Sequence, residues 1–93
     1  EPSNLMAAGA DYKEAFDIFQ DHIVHVHIKD GDYDADGKWE RCMIGDGIID
    51  VQWVWDQVEG LGYTGEYALE FEVGKIEPVE TGYPKWLKYW ENL

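Results

Sequence analysis

The hydrophobic positions of this chain change period from helical to alternating and back again. After Asp11, a plausible N-cap, apolar side chains recur at Tyr12, Ala15, Phe16 and Phe19, and Glu14 stands at capping-box distance. This spacing predicts a helix over 12–20. Residues 22–29 then turn β-branched, with Ile23, Val24, Val26 and Ile28 carrying a strand that stops at Asp30-Gly31. The stretch 30–50 is long for a loop, and Asp36-Gly37 between "DYDA" and "KWERCMI" predicts a small hairpin inside it. Asp50 caps a second helix whose apolar side is Val51, Val54, Trp55 and Val58, ending at Gly60 or Gly62. "YTGEYALEFE" is the next strand, and a last helix is expected from about Pro84, with Trp86, Leu87, Tyr89 and Trp90 as its apolar positions. Strands alternating with helices imply right-handed βαβ units in a parallel sheet. Two full strands leave open edges, so the chain is expected to be part of a larger barrel or sheet, and to self-associate or pair with the missing segments.

The strand at 22–29 carries an unexpected polar row. His25, His27 and Lys29 alternate and therefore share one face, as do Glu66, Ala68, Glu70 and Glu72 on the next strand. Neighbouring parallel strands lie about 4.8 Å apart, so an imidazole and a carboxylate near their carboxyl ends can meet at one cation. His27 and Glu70 are the pair best placed for this; imidazole with carboxylate suits Mn, Mg, Zn or Co without choosing among them. His25 reads as a hydrogen-bonded core residue. Glu72 is either solvated or a partner of the ligands. Asp32, Asp34 and Asp36 read as a solvated loop, since the glutamate an EF-hand needs at its twelfth position is missing. The tryptophans of the helices read as packing between helices and sheet.

Composition narrows the partners. With 93 residues the chain is at most one modest domain, and 45% hydrophobic residues are enough for a core. A net charge of −13 argues against nucleic acid or an anionic membrane. No apolar run approaches the roughly 18 residues of a membrane span. The single Cys42 forms no internal disulfide and fits a reducing, cytoplasmic setting; since no nearby basic group would clearly activate the thiol, it reads as a packing residue. The opening "EPSN", without an initiator methionine, reads as the continuation of a longer chain.

Taken together, "HVHIKD" and "IGDGIIDVQWVWDQVEGLGYTGEYALEFE" resemble the carboxyl-terminal third of the xylose-isomerase-like sugar phosphate isomerase/epimerase family. That resemblance implies a C-terminal fragment of a (β/α)8 TIM barrel, running over 1–93 from the end of strand 6 through helix 8. The family's seventh strand ends in a histidine-hydrophobic-lysine-aspartate string, matched by His27-Ile28-Lys29-Asp30. A Gly-x-Gly and an acidic cap follow, matched by Gly45-Asp46-Gly47 and Asp50. A "GY-x-G" turn, matched by Gly62-Tyr63-Thr64-Gly65, leads into the eighth strand and its metal-binding glutamate, matched by Glu70. At the amino end, Glu1 takes the place of an acidic ligand, usually Asp, that ends the sixth strand. Asn4 stands where related epimerases have a substrate-contacting histidine. Some epimerases have a substrate-binding arginine where Tyr33 stands here, and Arg41 is the chain's sole arginine.

The resemblance thus implies a divalent metal bound by Glu1, His27 and Glu70, with Glu70 also moving the substrate proton. Asn4, Lys29 and Arg41 are the candidate substrate contacts. The implied activity is a metal-dependent isomerase or epimerase acting on a sugar or sugar phosphate through an enediolate. An inosose-type dehydratase would share the first step. An endonuclease-four-like metal nuclease shares the barrel but needs an Asp-x-His pair further on, and no histidine follows His27. A non-catalytic barrel fragment is the remaining alternative.

Overall fold

The computed structural model describes residues 1–23 and 25–93, so Val24 of the expected strand lies outside the described residues. In chain order the elements are α1 (Pro2–Ala7), α2 (Tyr12–Phe19), a 3-10 turn (Gln20–His22), β1 (Val26–Ile28), β2 (Asp30–Tyr33), β3 (Trp39–Cys42), α3 (Val51–Gly60), β4 (Tyr67–Leu69) and α4 (Val79–Glu91). β1 pairs with β4 in parallel, in the register Val26↔Tyr67, His27↔Ala68 and Ile28↔Leu69. β2 and β3 form a separate antiparallel hairpin.

The capping residues act as their sequence positions suggest. Asp11 accepts the backbone N–H groups of Lys13 (2.8 Å) and Glu14 (3.3 Å), and Asp50 accepts that of Trp53 (2.9 Å). α2 and α3 meet through edge-to-face aromatic contacts of Trp53 with Tyr12 and Phe16, and the Tyr12 hydroxyl accepts the N–H of Asp50 at 3.0 Å. The core beneath them includes Val26, Ile28, Val51, Val54, Val58 and Trp86, all buried. Val51, Val54 and Val58 lie at helical spacing on α3, and Val26 and Ile28 on one face of β1, so the two periods read in the sequence converge on one core.

Both strands are shorter than the apolar runs that suggested them. Gln20–His22 is wound into the 3-10 turn, and Tyr63 to Glu66 form a bend in which the Tyr63 hydroxyl donates to the Glu66 carbonyl at 2.7 Å. A strand extends only as far as it has a partner, and β1 and β4 have only each other among the described residues.

The hairpin within 30–50 forms around Asp34-Ala35-Asp36-Gly37. The Asp34 carboxylate accepts the N–H groups of Asp36 (2.8 Å) and Lys38 (2.9 Å), and Gly37 takes a positive φ of 78°. The hairpin is fastened to α1 by Tyr33, whose hydroxyl donates to the Met6 carbonyl (3.0 Å), and by Trp39, whose indole N–H donates to the Ser3 hydroxyl (3.2 Å).

Two expectations change. The turn at the amino end is a short helix, because Pro2 stands at its first position and the Glu1 carboxylate caps it, accepting from Ser3 N (2.7 Å) and Asn4 N (2.8 Å). Glu1 is therefore the N-cap of α1. The last helix starts at Val79 instead of near Pro84. The Pro78 carbonyl accepts the first-turn N–H groups of Thr81 and Gly82, and Pro84 sits on the exposed side, where the carbonyl it leaves without a donor can face water. Among the described residues no helix is long and apolar enough to cross a membrane.

Candidate functional site

Because side chains alternate along a strand, β1 and the residue after it send His27 and Lys29 to one side, and the residue after β4 sends Glu70 to the same side; Glu72 reaches them across a tight turn in which its N–H donates to the Glu70 carbonyl at 3.1 Å. The Glu70 N–H donates to the Ile28 carbonyl at 2.9 Å, which carries the β1–β4 pairing one step past the assigned strands. These four side chains thus meet at the carboxyl ends of two parallel strands. The His27 ring Nδ1 contacts Glu70 Oε1. The other Glu70 oxygen lies 3.2 Å from the Lys29 ammonium. Lys29 Nζ is also 3.5 Å from Glu72 Oε1 and 3.8 Å from Glu1 Oε2. Glu72 in turn holds the Arg41 guanidinium at 3.1 Å through its second oxygen.

Burial ranks these contacts. The Lys29 side chain is only 6% exposed, so its ammonium sits away from bulk water and depends on its three carboxylates. Arg41 is 53% and His27 49% exposed, and both stand at the rim. Burial alone would raise the Glu70 carboxyl. Hydrogen bonds from Lys29 and His27, together with the Lys29 charge, outweigh it and hold Glu70 below the usual carboxylate range. Glu70 is therefore an ionised carboxylate beside a half-dry cation.

Of the residues singled out from sequence, Glu1, His27, Lys29, Glu70 and Arg41 belong to this one charged cluster. Asn4 reaches it, among the described residues, through its backbone N–H on Glu1, and its side chain is exposed. His25 is exposed at the edge of an apolar cavity of about 220 Å³ that Phe16, Phe19, Ile23 and Trp53 also line, so it is not a core histidine. Glu72, left open by the sequence, joins Lys29 to Arg41.

Asp30 was passed over as a strand stop and is fully buried. One of its oxygens accepts from Gly31 N (2.8 Å) and Ile49 N (3.2 Å), the other from Gly45 N and Gly47 N (both 3.0 Å). It ties the loop before α3 to the end of β1, next to Lys29. Gly47 has no room for a side chain, since a Cβ there would run into the Asp30 carboxylate and the Gly31 carbonyl. The hints in the sequence were the "GDG" of residues 45–47 and the place of Asp30 at the end of the family's histidine-hydrophobic-lysine-aspartate string.

The xylose isomerase-like TIM barrel family matches this chain over residues 1–93. The chain belongs to that family. No curated protein matches it significantly. The xylose isomerase-like family includes sugar isomerases, epimerases and apurinic endonucleases, and most of its members are enzymes. A barrel family also accounts for the architecture, in which parallel β1 and β4 are joined through α3 and present their polar residues at their carboxyl ends.

Divalent metals are common in the xylose isomerase-like family. The donor chemistry here fits such an ion in kind, since imidazole and carboxylate stand side by side in His27 and Glu70. Among the described residues, however, no three His, Cys, Asp or Glu side chains converge as a cage, and the Glu1 carboxylate is engaged in capping α1. The pair supplies two adjacent donors, and Glu1 faces them across Lys29.

Cys42 lies near this region without sharing its chemistry. Burial, and then the negative charges of Asp30, Asp46 and Asp32, push its thiol from 9.0 up to about 12. The thiolate fraction at pH 8 falls accordingly by about a thousandfold; the greater intrinsic nucleophilicity of a more basic thiolate offsets part of this, leaving alkylation by iodoacetamide roughly fiftyfold slower than in the urea-unfolded chain. Because the folded thiol titrates high, its rate should keep rising about tenfold per pH step through pH 10. A plateau near pH 9.0 would show an ordinary, exposed cysteine.

Proposed function

We propose that a protein carrying this chain is a cytoplasmic, divalent-metal-dependent isomerase or epimerase of sugars or sugar phosphates, working by proton transfer through an enediolate. The observation that carries this reading is the pairing of an ionised Glu70 with the buried Lys29 ammonium at the mouth of two parallel strands. A base and a fixed positive charge within one hydrogen-bond length are what abstraction of a proton next to a carbonyl requires.

In this reading Glu70 accepts the proton from the carbon beside the carbonyl and returns it to the neighbouring carbon from the same face; epimerisation would need a second acid, a glutamate from an earlier strand, on the opposite face. A carboxylate held low is a weak base, so the site must stabilise the oxyanion that forms. Lys29 stands in position to do this, in surroundings dry enough for its charge to act strongly. Glu1 and Glu72 hold and orient the lysine, and His27 fixes the rotation of the Glu70 carboxylate. A divalent cation (Mn, Mg, Zn or Co) held by His27 and Glu70 would polarise the substrate's carbonyl oxygen.

The test compares two variants of the full protein. Glu70→Gln keeps an oxygen donor but removes the base, so metal content should stay while exchange of the substrate's α-proton with deuterated water falls roughly a hundredfold or more. His27→Ala removes a ligand, so metal content should fall and excess cation should restore part of the turnover. Full α-proton exchange in Glu70→Gln would show that another group is the base. Unchanged metal content in both variants would move the metal elsewhere. Dehydration begins with the same abstraction, so a product that has lost water, rather than changed configuration, would assign the protein to that class.

A further inference from the structure

Glu70 is shared between two partners. Its Oε1 contacts the His27 ring, and its Oε2 lies 3.2 Å from the Lys29 ammonium. The sequence fixes this sharing, because Lys29 follows His27 by two positions and so takes the same face of β1. Lys29 also draws in Glu72 at 3.5 Å and Glu1 at 3.8 Å, and the whole residue is buried. The carboxylates are thus directed at a fixed ammonium as well as at the imidazole that would share a metal with Glu70.

We propose that Lys29 competes with a divalent cation for the Glu70 carboxylate and thereby sets how tightly the site holds that cation. The inference rests on the metal-dependent reading and adds to it the control of metal loading. Two cations on one carboxylate repel each other, and in a half-dry site water screens that repulsion weakly. Lys29 can give way without becoming an unpaired buried charge, since Glu72 and Glu1 already face it. The site then takes its cation reversibly, according to supply. An ammonium that has left Glu70 is free to meet the oxyanion of the substrate, so loading and catalysis use the same displacement.

Calorimetric titration with manganese(II) chloride, after treatment with a chelator, tests the competition. Lys29→Met should bind manganese roughly tenfold tighter than the unmodified protein. Lys29→Arg keeps the charge and should bind it as the unmodified protein does. Lys88→Ala removes a positive charge from the last turn of α4, outside the cluster, and should leave the affinity unchanged. Adding His27→Ala to Lys29→Met should abolish the gain, which places the cation at this pair. Affinity unchanged or lowered in Lys29→Met, or raised equally in Lys29→Arg, would overturn the proposal.

A measurement on the unmodified protein does not depend on how the variants fold. Acylation of Lys29, read by peptide mass spectrometry, should quicken several-fold when manganese is added, while that of Lys88 stays constant. Lys29 acylation that manganese leaves unchanged or slows would count equally against the competition. Exchange of the substrate's α-proton decides the isomerase reading separately. If exchange is absent while Lys29→Met binds manganese tighter, the isomerase reading fails and the competition stands. If exchange occurs while no manganese binds to any of these proteins, the competition fails and a metal-independent isomerase remains.

Discussion

Replacing Asp30 with alanine should destabilise the protein by about 3–5 kcal/mol, the range found when one side of a buried charged network is removed. Asp30 is fully buried, and its two oxygens receive four backbone N–H groups, from Gly31, Gly45, Gly47 and Ile49. Each hydrogen bond to a charged group contributes about 1.5–3 kcal/mol. The full sum is not lost, because Gly45 is exposed and can turn to water, whereas the buried Gly31 and Ile49 cannot. Asp30→Asn should cost less but remain clearly destabilising, since its amide nitrogen would face donors where it needs to meet acceptors. Urea unfolding measures both effects. Hydrogen exchange should localise them, with the amides of Gly47 and Ile49 losing protection first. Because Asp30 follows Lys29 directly, the alanine variant should also loosen the ammonium from its carboxylates. A change in stability below about 0.5 kcal/mol would mean that the loop before α3 is held by something other than Asp30.

Trp86→Ala should have an effect of similar size, about 3–5 kcal/mol. The Trp86 side chain is 0% exposed, packs edge-to-face on Phe71 at 5.4 Å, and directs its indole N–H at the Met43 sulfur at 3.5 Å. Alanine would leave a cavity that α4 cannot fill, because α4 is already drawn close to Phe71 at Gly82, where a Cβ would come within 2.5 Å of the ring. Phe71 lies between Glu70 and Glu72 in the chain, so its loss of support should reach the charged cluster. Trp86→Phe keeps an aromatic edge against Phe71 and should lose markedly less. Denaturant midpoints give the energies, and near-ultraviolet circular dichroism reports the aromatic packing. An alanine variant as stable as the unmodified protein would show that burial of the Trp86 side chain is not what holds α4 in place.

The parts of the fold that were legible in the sequence are those decided within a few residues. Asp11 and Asp50 are caps because a carboxylate needs only the N–H groups two or three positions ahead. The hairpin at Asp34–Gly37 is equally local. Pro84 misled for the same reason: a proline near a helix start is a local signal, but Pro78 and the packing of Gly82 on Phe71 decide where α4 begins. Strand lengths were overread because they depend on a partner elsewhere in the chain. In the site, alternation was enough to place His27 beside Lys29, while Glu72 reaches Glu70 across a tight turn. The salt bridges that join them depend on the register of β1 against β4, which no spacing within either strand contains. Asp30 was invisible as an organiser because its partners are backbone groups, which leave no mark on side-chain pattern.

The parallel pairing of β1 with β4 also orders events in time. The β2–β3 hairpin closes across a few residues, and hairpins of that kind form within about 1–10 μs. His27 and Glu70 are 43 residues apart in sequence, and their contact must wait until that intervening chain has lost its freedom. Helices and hairpin can therefore be complete in a molecule whose charged cluster does not yet exist. Refolding followed by helical signal would run ahead of refolding followed by the site. A chain stalled midway would carry a finished hairpin and no chemistry.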